Sequence, residues 1–133
     1  MKYSSGFSLI ELLITVSIIG ILSSLALISY TDNVIAANRT EGRSALQTAA
    51  GTLEKCRSLY GSYNHANCNY VDFTTESNFY KVTADGNILA SSFTLTATPV
   101  AGEPQARDTD CTTLTLTNTG LKGGTGADAS ECW

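Results

Sequence analysis

The stretch GFSLIELLITVSIIGIL, residues 6–22, opens the longest apolar run of this chain of 133 residues. From Phe7 to Tyr30 the only charged residue is Glu11. A helix of about 24 residues is roughly 36 Å long, which exceeds the hydrocarbon core of a bilayer, about 30 Å thick. We therefore predict a membrane-spanning helix over residues 7–30 and a polar, folded remainder.

The carboxylate of Glu11 needs an explanation, because a charge at the centre of a membrane helix costs about 2.5–3.5 kcal/mol. One explanation is that Glu11 lies in the headgroup zone and reaches water. The other is a cationic partner. If the chain is cut after Gly6, Phe7 gains an α-amino group, which is cationic at neutral pH and lies about one helical turn from Glu11. Between two chains, such a pair would fix the axial register of an assembly, as buried polar groups do in coiled coils.

The residues before the apolar run do not form an ordinary secretory signal. Such a signal has its small-residue cleavage site after the apolar segment, whereas Ser4, Ser5 and Gly6 stand before it. Cleavage at Gly6 would therefore remove a short leader and keep the apolar helix.

This combination of glycine, aromatic residue and acid resembles the class III signal of type IV prepilins. The resemblance implies that a prepilin peptidase cleaves between Gly6 and Phe7 and N-methylates Phe7, and that Glu11 sets the register of assembly. The implied segments are residues 1–6 as a cleaved leader, 7–30 as transmembrane and filament-core helix, and 31–133 as an extracytoplasmic pilin head.

The helical pattern continues past Tyr30 but becomes amphipathic, so one helix is predicted from about Ser8 to Leu59. The positions that recur at helical spacing, and that we expect to pack on a sheet, are Leu46, Ala49, Ala50, Leu53, Cys56 and Tyr60. The positions that we expect to face solvent or neighbouring subunits are Asn38, Arg39, Thr40, Glu41, Arg43 and Gln47.

The C-terminal half has the pattern of a small antiparallel sheet. Residues 60–79 are polar and predict a loop. The segments predicted as strands are 79–84, 91–99 and 111–120, with a short fourth after Gly120 as an alternative. The first two are joined by turn residues, Asp85, Gly86 and Asn87. Alternating apolar and threonine residues predict one covered face.

The expected fold class is thus α+β, with a long N-terminal helix packed on an antiparallel sheet of three to four strands. This is similar to the pilin fold. The segments FTLTATP (93–99), DCTTLTLTNTGLKG (110–123) and the final CW look like the head of a minor-pilin subgroup that includes competence pilins.

The four cysteines predict disulfides, because an exported head faces an oxidising compartment. Four cysteines allow three pairings, and the sequence alone does not choose among them. We favour Cys56–Cys68, which would tie the helix end to the following loop, and Cys111–Cys132, which would hold the glycine-rich tail. A structural zinc site is the weaker alternative, since there is no CxxC motif and His65 is the only histidine.

The sequence contains no recognisable catalytic set, so we predict neither an enzyme nor a cofactor. His65 lies in a polar loop and is expected at the solvated surface. Asp108 and Asp110 are the closest pair of acids; they could bind calcium together with loop carbonyls, but a solvated loop is the preferred interpretation.

The leading functional hypothesis is a structural subunit, a minor pilin, of a type IV pilus. By resemblance it is held in the inner membrane, meets a prepilin peptidase and an inner-membrane assembly platform, and joins other pilin subunits in a filament at the cell surface. Such filaments support twitching motility, adhesion or DNA uptake. The alternatives are a pseudopilin of a type II secretion system and a DNA-binding competence pilin.

The DNA-binding alternative requires clustered cations, because affinity for nucleic acid comes largely from phosphate neutralisation. The formal net charge of −4 argues against a strong general affinity. The candidate contacts form a conceivable basic stripe across the sheet, made of Lys81, Arg107 and Lys122.

Overall fold

The computed structural model describes residues 6–68, 70, 72–84 and 88–133, with the backbone alone at 26–29. The leader residues 1–5 and the predicted turn at 85–87 lie outside the described residues. Two compact units make up the chain, Met1–Val34 and Ile35–Trp133. The boundary that the sequence predicted after Tyr30 stays a prediction.

One helix, α1, runs from Leu9 to Tyr60, within one residue of the predicted bounds at both ends. In the first unit, the apolar side chains of α1 that the structure describes are exposed; Leu9 is 82% and Ile18 52% accessible. An 18-residue window of α1 has a mean hydropathy of 2.4 and is long and apolar enough to cross a membrane. The apolar surface of the first unit therefore lacks cover within the described chain.

Four hydroxyl groups in the apolar part of α1 donate hydrogen bonds to the backbone of the helix itself. Thr15 donates to the carbonyl of Leu12 at 2.8 Å and Ser17 to that of Leu13 at 2.7 Å. Ser23 and Ser24 donate in the same way to carbonyls one turn earlier. Because an unpaired polar group in hydrocarbon costs several kcal/mol, these bonds make the helix compatible with lipid.

The second unit contains a five-stranded antiparallel sheet in the order β1-β2-β3-β4-β5. The strands are β1 Phe73–Thr74, β2 Tyr80–Ala84, β3 Thr94–Pro99, β4 Thr113–Thr117 and β5 Lys122–Thr125. Successive strands are neighbours, so each connection is local. The predicted fold class, α+β with a long helix and a small antiparallel sheet, is confirmed.

The sheet has one strand more than predicted, because β1 lies inside the segment expected to be a loop. Phe73 pairs with Val82 and Thr74 with Lys81. Two residues in a polar stretch give no periodic signal, and only pairing with β2 makes them a strand. The alternative fourth strand after Gly120 is present as β5.

The core lies between α1 and one face of the sheet, the inner face. Val82, Leu95 and Leu114 on the strands are 0% exposed, and so is Leu46 on the helix. Gly42 permits close approach, since a Cβ there would lie 2.9 Å from Leu114 Cδ1 and 3.1 Å from the Tyr80 ring. The outer face carries threonines such as Thr94 and Thr98, as the alternation predicted.

Two predictions about α1 are wrong. Tyr60, placed on the packing stripe, is 43% exposed and instead stacks on His65 with ring centroids 4.5 Å apart. Arg39, placed on the solvent side, is 8% exposed. It lies seven residues before Leu46 and so continues the buried stripe by two helical turns, with its charge satisfied by partners described below.

Candidate functional site

The processing and assembly residues lie at the start of α1. Phe7 is 80% exposed, and Glu11 stands in the first turn, where a carboxylate interacts favourably with the positive end of the helix dipole. Glu11 makes no ion pair with any other residue that the structure describes. The roles of Gly6, Phe7 and Glu11 stay predictions, because they depend on a cut chain and on neighbouring subunits.

Two disulfides close the head, in the pairing that the sequence analysis favoured. Cys56 on α1 is bonded to Cys68 in the following loop, with Cα atoms 5.8 Å apart. Cys111, before β4, is bonded to Cys132, with Cα atoms 5.6 Å apart. The second disulfide is fully buried against the sheet beside Gly124, which holds the glycine-rich tail on the core.

A buried ion pair joins α1 to the loop after β3. Arg39 Nε and Nη2 donate to the two carboxylate oxygens of Asp108, both at 2.7 Å. Asp110 lies 3.6 Å from Arg39 Nη2. The hydrogen bonds to Asp108 raise the pKa of Arg39, so this arginine stays charged. Asp108 was expected in a solvated loop or at a calcium site; instead it is 4% exposed and neutralised by Arg39.

Gln105 extends this ion pair into a network. Its Nε2 lies 2.9 Å from Tyr80 Oη, 3.1 Å from Asp108 Oδ2 and 3.1 Å from the Ile35 carbonyl. Gln105 is 0% exposed, and its Oε1 has no partner among the described residues. Burial, and then the charge of Asp108, raise the pKa of Tyr80 to about 12.

Alkaline pH should destabilise the head through Tyr80. Its pKa is about 12 in the folded head and 10 ordinarily, so between these values the unfolded chain loses a proton that the folded head keeps. This stabilisation is complete below pH 10 and is lost as pH rises to 12, by about 2 kcal/mol. Urea unfolding at pH 9–12 should show a smaller loss of stability for Tyr80→Phe than for the wild type. Equal losses in the two proteins would contradict this role of Tyr80.

The sheet does not assemble the predicted basic stripe. Lys81 pairs with Thr98, so it stands on the outer face. Lys122 pairs with Leu116, a core residue, so it stands on the opposite side of the sheet. Its Nζ lies 5.1 Å from the Trp133 ring centroid. Arg107 is exposed in a short 3₁₀ turn, Pro104–Arg107, near the Asp108 network.

Two further cations, Lys55 and Arg57, lie in the last two turns of α1. Arg57 Nη1 donates to Tyr63 Oη at 3.1 Å and to the Ser91 carbonyl at 3.4 Å. Asn118, in the turn that leads to Lys122, donates to the same carbonyl. Arg57 and the β4–β5 turn are therefore neighbours. Arg57 and this turn are more than 60 positions apart in the sequence, so no local pattern groups them.

A cleft of about 300 Å³ opens beside Lys55, between α1 and the loop closed by Cys56–Cys68. Tyr60 and Tyr70 line it, and the Tyr70 hydroxyl has no partner among the described residues. Burial raises the pKa of Tyr70 to about 12. His65, expected to be solvated, is half-buried and stacked on Tyr60, and its Nδ1 accepts from the Asn67 amide at 3.2 Å.

Comparisons with known proteins agree with this geometry. The family model described as "Type IV minor pilin ComP, DNA uptake sequence receptor" matches residues 29–115. The model of the prokaryotic N-terminal methylation motif matches residues 1–27. The non-core minor pilin PilV of Neisseria meningitidis has a similar structure, with a TM-score of 0.56 and 22% identity. The match covers 72% of this chain and 91% of PilV.

A type IV pilin from Shewanella oneidensis aligns with a TM-score of 0.47 and 24% identity, over 74% of this chain and 97% of that pilin.

Proposed function

Because this chain belongs to the type IV minor pilin family and has the prepilin motif and the pilin fold, we propose that it is a pilus subunit. It is held in the inner membrane before assembly and then enters a filament. The observation that carries the proposal is the apolar half of α1, whose described side chains are exposed and which is preceded by Gly6 and Phe7. Lipid would cover this surface before assembly, and the helices of other pilins would cover it afterwards. The family match favours the pilus over the secretion pseudopilus.

Processing is part of this proposal. A prepilin peptidase would cut between Gly6 and Phe7 and methylate the new amine, and an inner-membrane platform would move the cut subunit into the filament. Energy must come from outside the chain, because its sequence has no nucleotide-binding motif.

Mass spectrometry of sheared, purified filaments tests this proposal. We expect this subunit as a minor component whose first residue is N-methylated Phe7. A peptidase-deficient strain, which should retain residues 1–6 and release no filament-bound subunit, is the control. Finding residues 1–6 attached to the protein in surface filaments would overturn the proposal.

A second proposed function is DNA capture, which the description of the matched family as a DNA uptake sequence receptor favours. The candidate phosphate contacts in this proposal are Lys55 on one side of the end of α1, Arg57 beside the β4–β5 turn on the other side, and Lys122 at the end of that turn. Tyr60 and Tyr70 add aromatic surface beside Lys55, and such surfaces support nucleic-acid binding. Since the net charge is negative, affinity should be moderate and strongly salt-dependent.

Removing these cations should weaken DNA binding. For Lys55→Ala and Lys122→Ala, the slope of log affinity against log salt should fall by about 1 for each phosphate that the variant no longer neutralises. Fluorescence polarisation of a labelled duplex with full-length protein in detergent measures this. Lys81→Ala is the matched control, because Lys81 stands on the outer face of the sheet and is not one of these candidate contacts. Absent or salt-independent binding by the wild type would contradict DNA capture.

A further inference from the structure

The two flanks of α1 in the head differ in their contacts with the rest of the chain. On one flank, Arg39 is paired with Asp108, and Arg43 Nε donates to the Cys132 carbonyl at 2.9 Å. Glu41, two residues from Arg39, points about 200° away around the helix. There a groove of about 530 Å³ lies between α1 and the segment around β1. We call it the Glu41 groove; its lining includes Glu41, Ser44, Thr48, Phe73 and Glu76.

An aromatic ring that the helix leaves uncovered forms part of the Glu41 groove. Phe73 pairs with Val82, so both project toward the inner face. Val82 is 0% exposed, whereas Phe73 is 36% exposed. The helix therefore covers the sheet at β2 but not at its β1 edge. The groove thus offers apolar surface beside polar groups, the composition of a protein–protein contact.

The described residues provide no cationic partner for the charges of the Glu41 groove. Glu41 Oε1 is buried and accepts no hydrogen bond from any described residue. Glu76, also in the lining, is exposed. No lysine or arginine is among the residues that line the groove in the described part of the chain. A buried carboxylate oxygen without a donor is unfavourable, so a cationic donor from outside the head would complete the groove.

We propose that the Glu41 groove receives an arginine side chain from a neighbouring pilin subunit in the filament. Arginine fits because its planar guanidinium donates to carboxylates and stacks on aromatic rings, here Glu41, Glu76 and Phe73. A filament places pilin heads side by side and therefore supplies the neighbour. This head shows that a pilin can present such a donor: Arg107 is exposed, makes no ion pair with another described residue, and lies on the Arg39 side of α1.

A contact from one flank of a head to the other flank of the next is heterologous. Such contacts repeat without closing and so generate helical filaments rather than closed dimers. The inference rests on the proposed function as a filament subunit, and it adds the surface through which neighbouring heads recognise each other.

Photocrosslinking in filaments tests the occupant of the groove. The full-length chain, with p-benzoylphenylalanine in place of Ser44, would be expressed in piliated cells. Irradiation should link it to another pilin subunit, and mass spectrometry should place the link near an arginine. The same probe at Thr94, on the outer face, is the control and should give at least tenfold less of that adduct. An adduct with a protein that is not a pilin would overturn the proposal.

Charge reversal tests the recognition itself. Glu41→Arg should lower the amount of subunit in filaments at least tenfold, while both disulfides and the melting temperature of the head are retained. Lys81→Glu reverses an exposed charge on the outer face of the sheet, away from both flanks of α1, and should leave incorporation unchanged. Equal incorporation of the two variants would overturn the groove contact alone. A wild-type chain absent from filaments would overturn the proposed function as well.

Discussion

Replacing Glu11 with alanine should reduce the amount of this subunit in filaments at least tenfold, with little change in its level in the membrane. Glu11 stands in the first turn of α1, among side chains that are exposed throughout the described part of the first unit. Once assembly removes lipid and water from this surface, its carboxylate needs a cation. In the proposed assembly, the amine freed at Phe7 would supply one, on the same chain or on the next.

The size of this effect follows from the cost of an unmatched charge. About 2.5–3.5 kcal/mol for a charge in the membrane corresponds to roughly a hundredfold in an equilibrium constant. In Glu11→Ala the acid is gone, but the methylated amine of Phe7 then lacks its partner inside the assembly, and the axial register is no longer specified.

Quantitative immunoblots of sheared filaments and of membranes measure the two pools. Glu54→Ala is a useful control, because Glu54 lies on the same helix but in the head, where it accepts a hydrogen bond from Tyr63 Oη at 2.6 Å. It should reach filaments normally. Incorporation of Glu11→Ala at the wild-type level would show that register is set elsewhere, and that Glu11 merely reaches the headgroup zone.

Replacing Arg39 with alanine should destabilise the head by about 3–5 kcal/mol, a large fraction of the roughly 5–15 kcal/mol typical of a folded domain. The side chain of Asp108 is 1% exposed. Without the guanidinium, Asp108 would be a buried charge with only the Cys111 amide, at 3.0 Å, and Gln105 as donors. The loss is therefore mainly the cost of the carboxylate left behind.

Urea unfolding of the full-length protein in detergent, followed by the fluorescence of Trp133, measures this loss. Arg39→Lys keeps the charge but not the two-point geometry, so its stability should be intermediate. The double variant Arg39→Met, Asp108→Leu leaves neither member of the ion pair as an unpaired buried charge. It should therefore be more stable than Arg39→Ala. If Arg39→Ala unfolds within about 1 kcal/mol of the wild type, the ion pair does not hold α1 to the loop.

The parts of the fold that depend on local patterns could be predicted from the sequence. The ends of α1 follow from helical periodicity, and β3 and β4 from the alternation of apolar residues with threonine. The motif at Gly6, Phe7 and Glu11 is local as well. By contrast, β1 has two residues and depends on its pairing with β2, so no local pattern predicts it.

The candidate site was harder to predict, because its partners are distant in sequence. Arg39 and Asp108 are 69 residues apart, and a charged residue is normally assigned to the surface. The available signal was position: Arg39 continues the spacing of the buried helix residues. The opposite faces of Lys81 and Lys122 depend on strand register, which the sequence specifies only together with the turns.

The bond between Arg43 and the Cys132 carbonyl spans 89 residues, and it has a consequence for biogenesis. If α1 enters the bilayer first, almost all of the remaining chain must be exported before Arg43 can bond to the Cys132 carbonyl. Contacts of this range are slow to form. On the proposed placement, newly made subunits would pass through an interval in which the membrane already holds them but the domain outside is not yet folded.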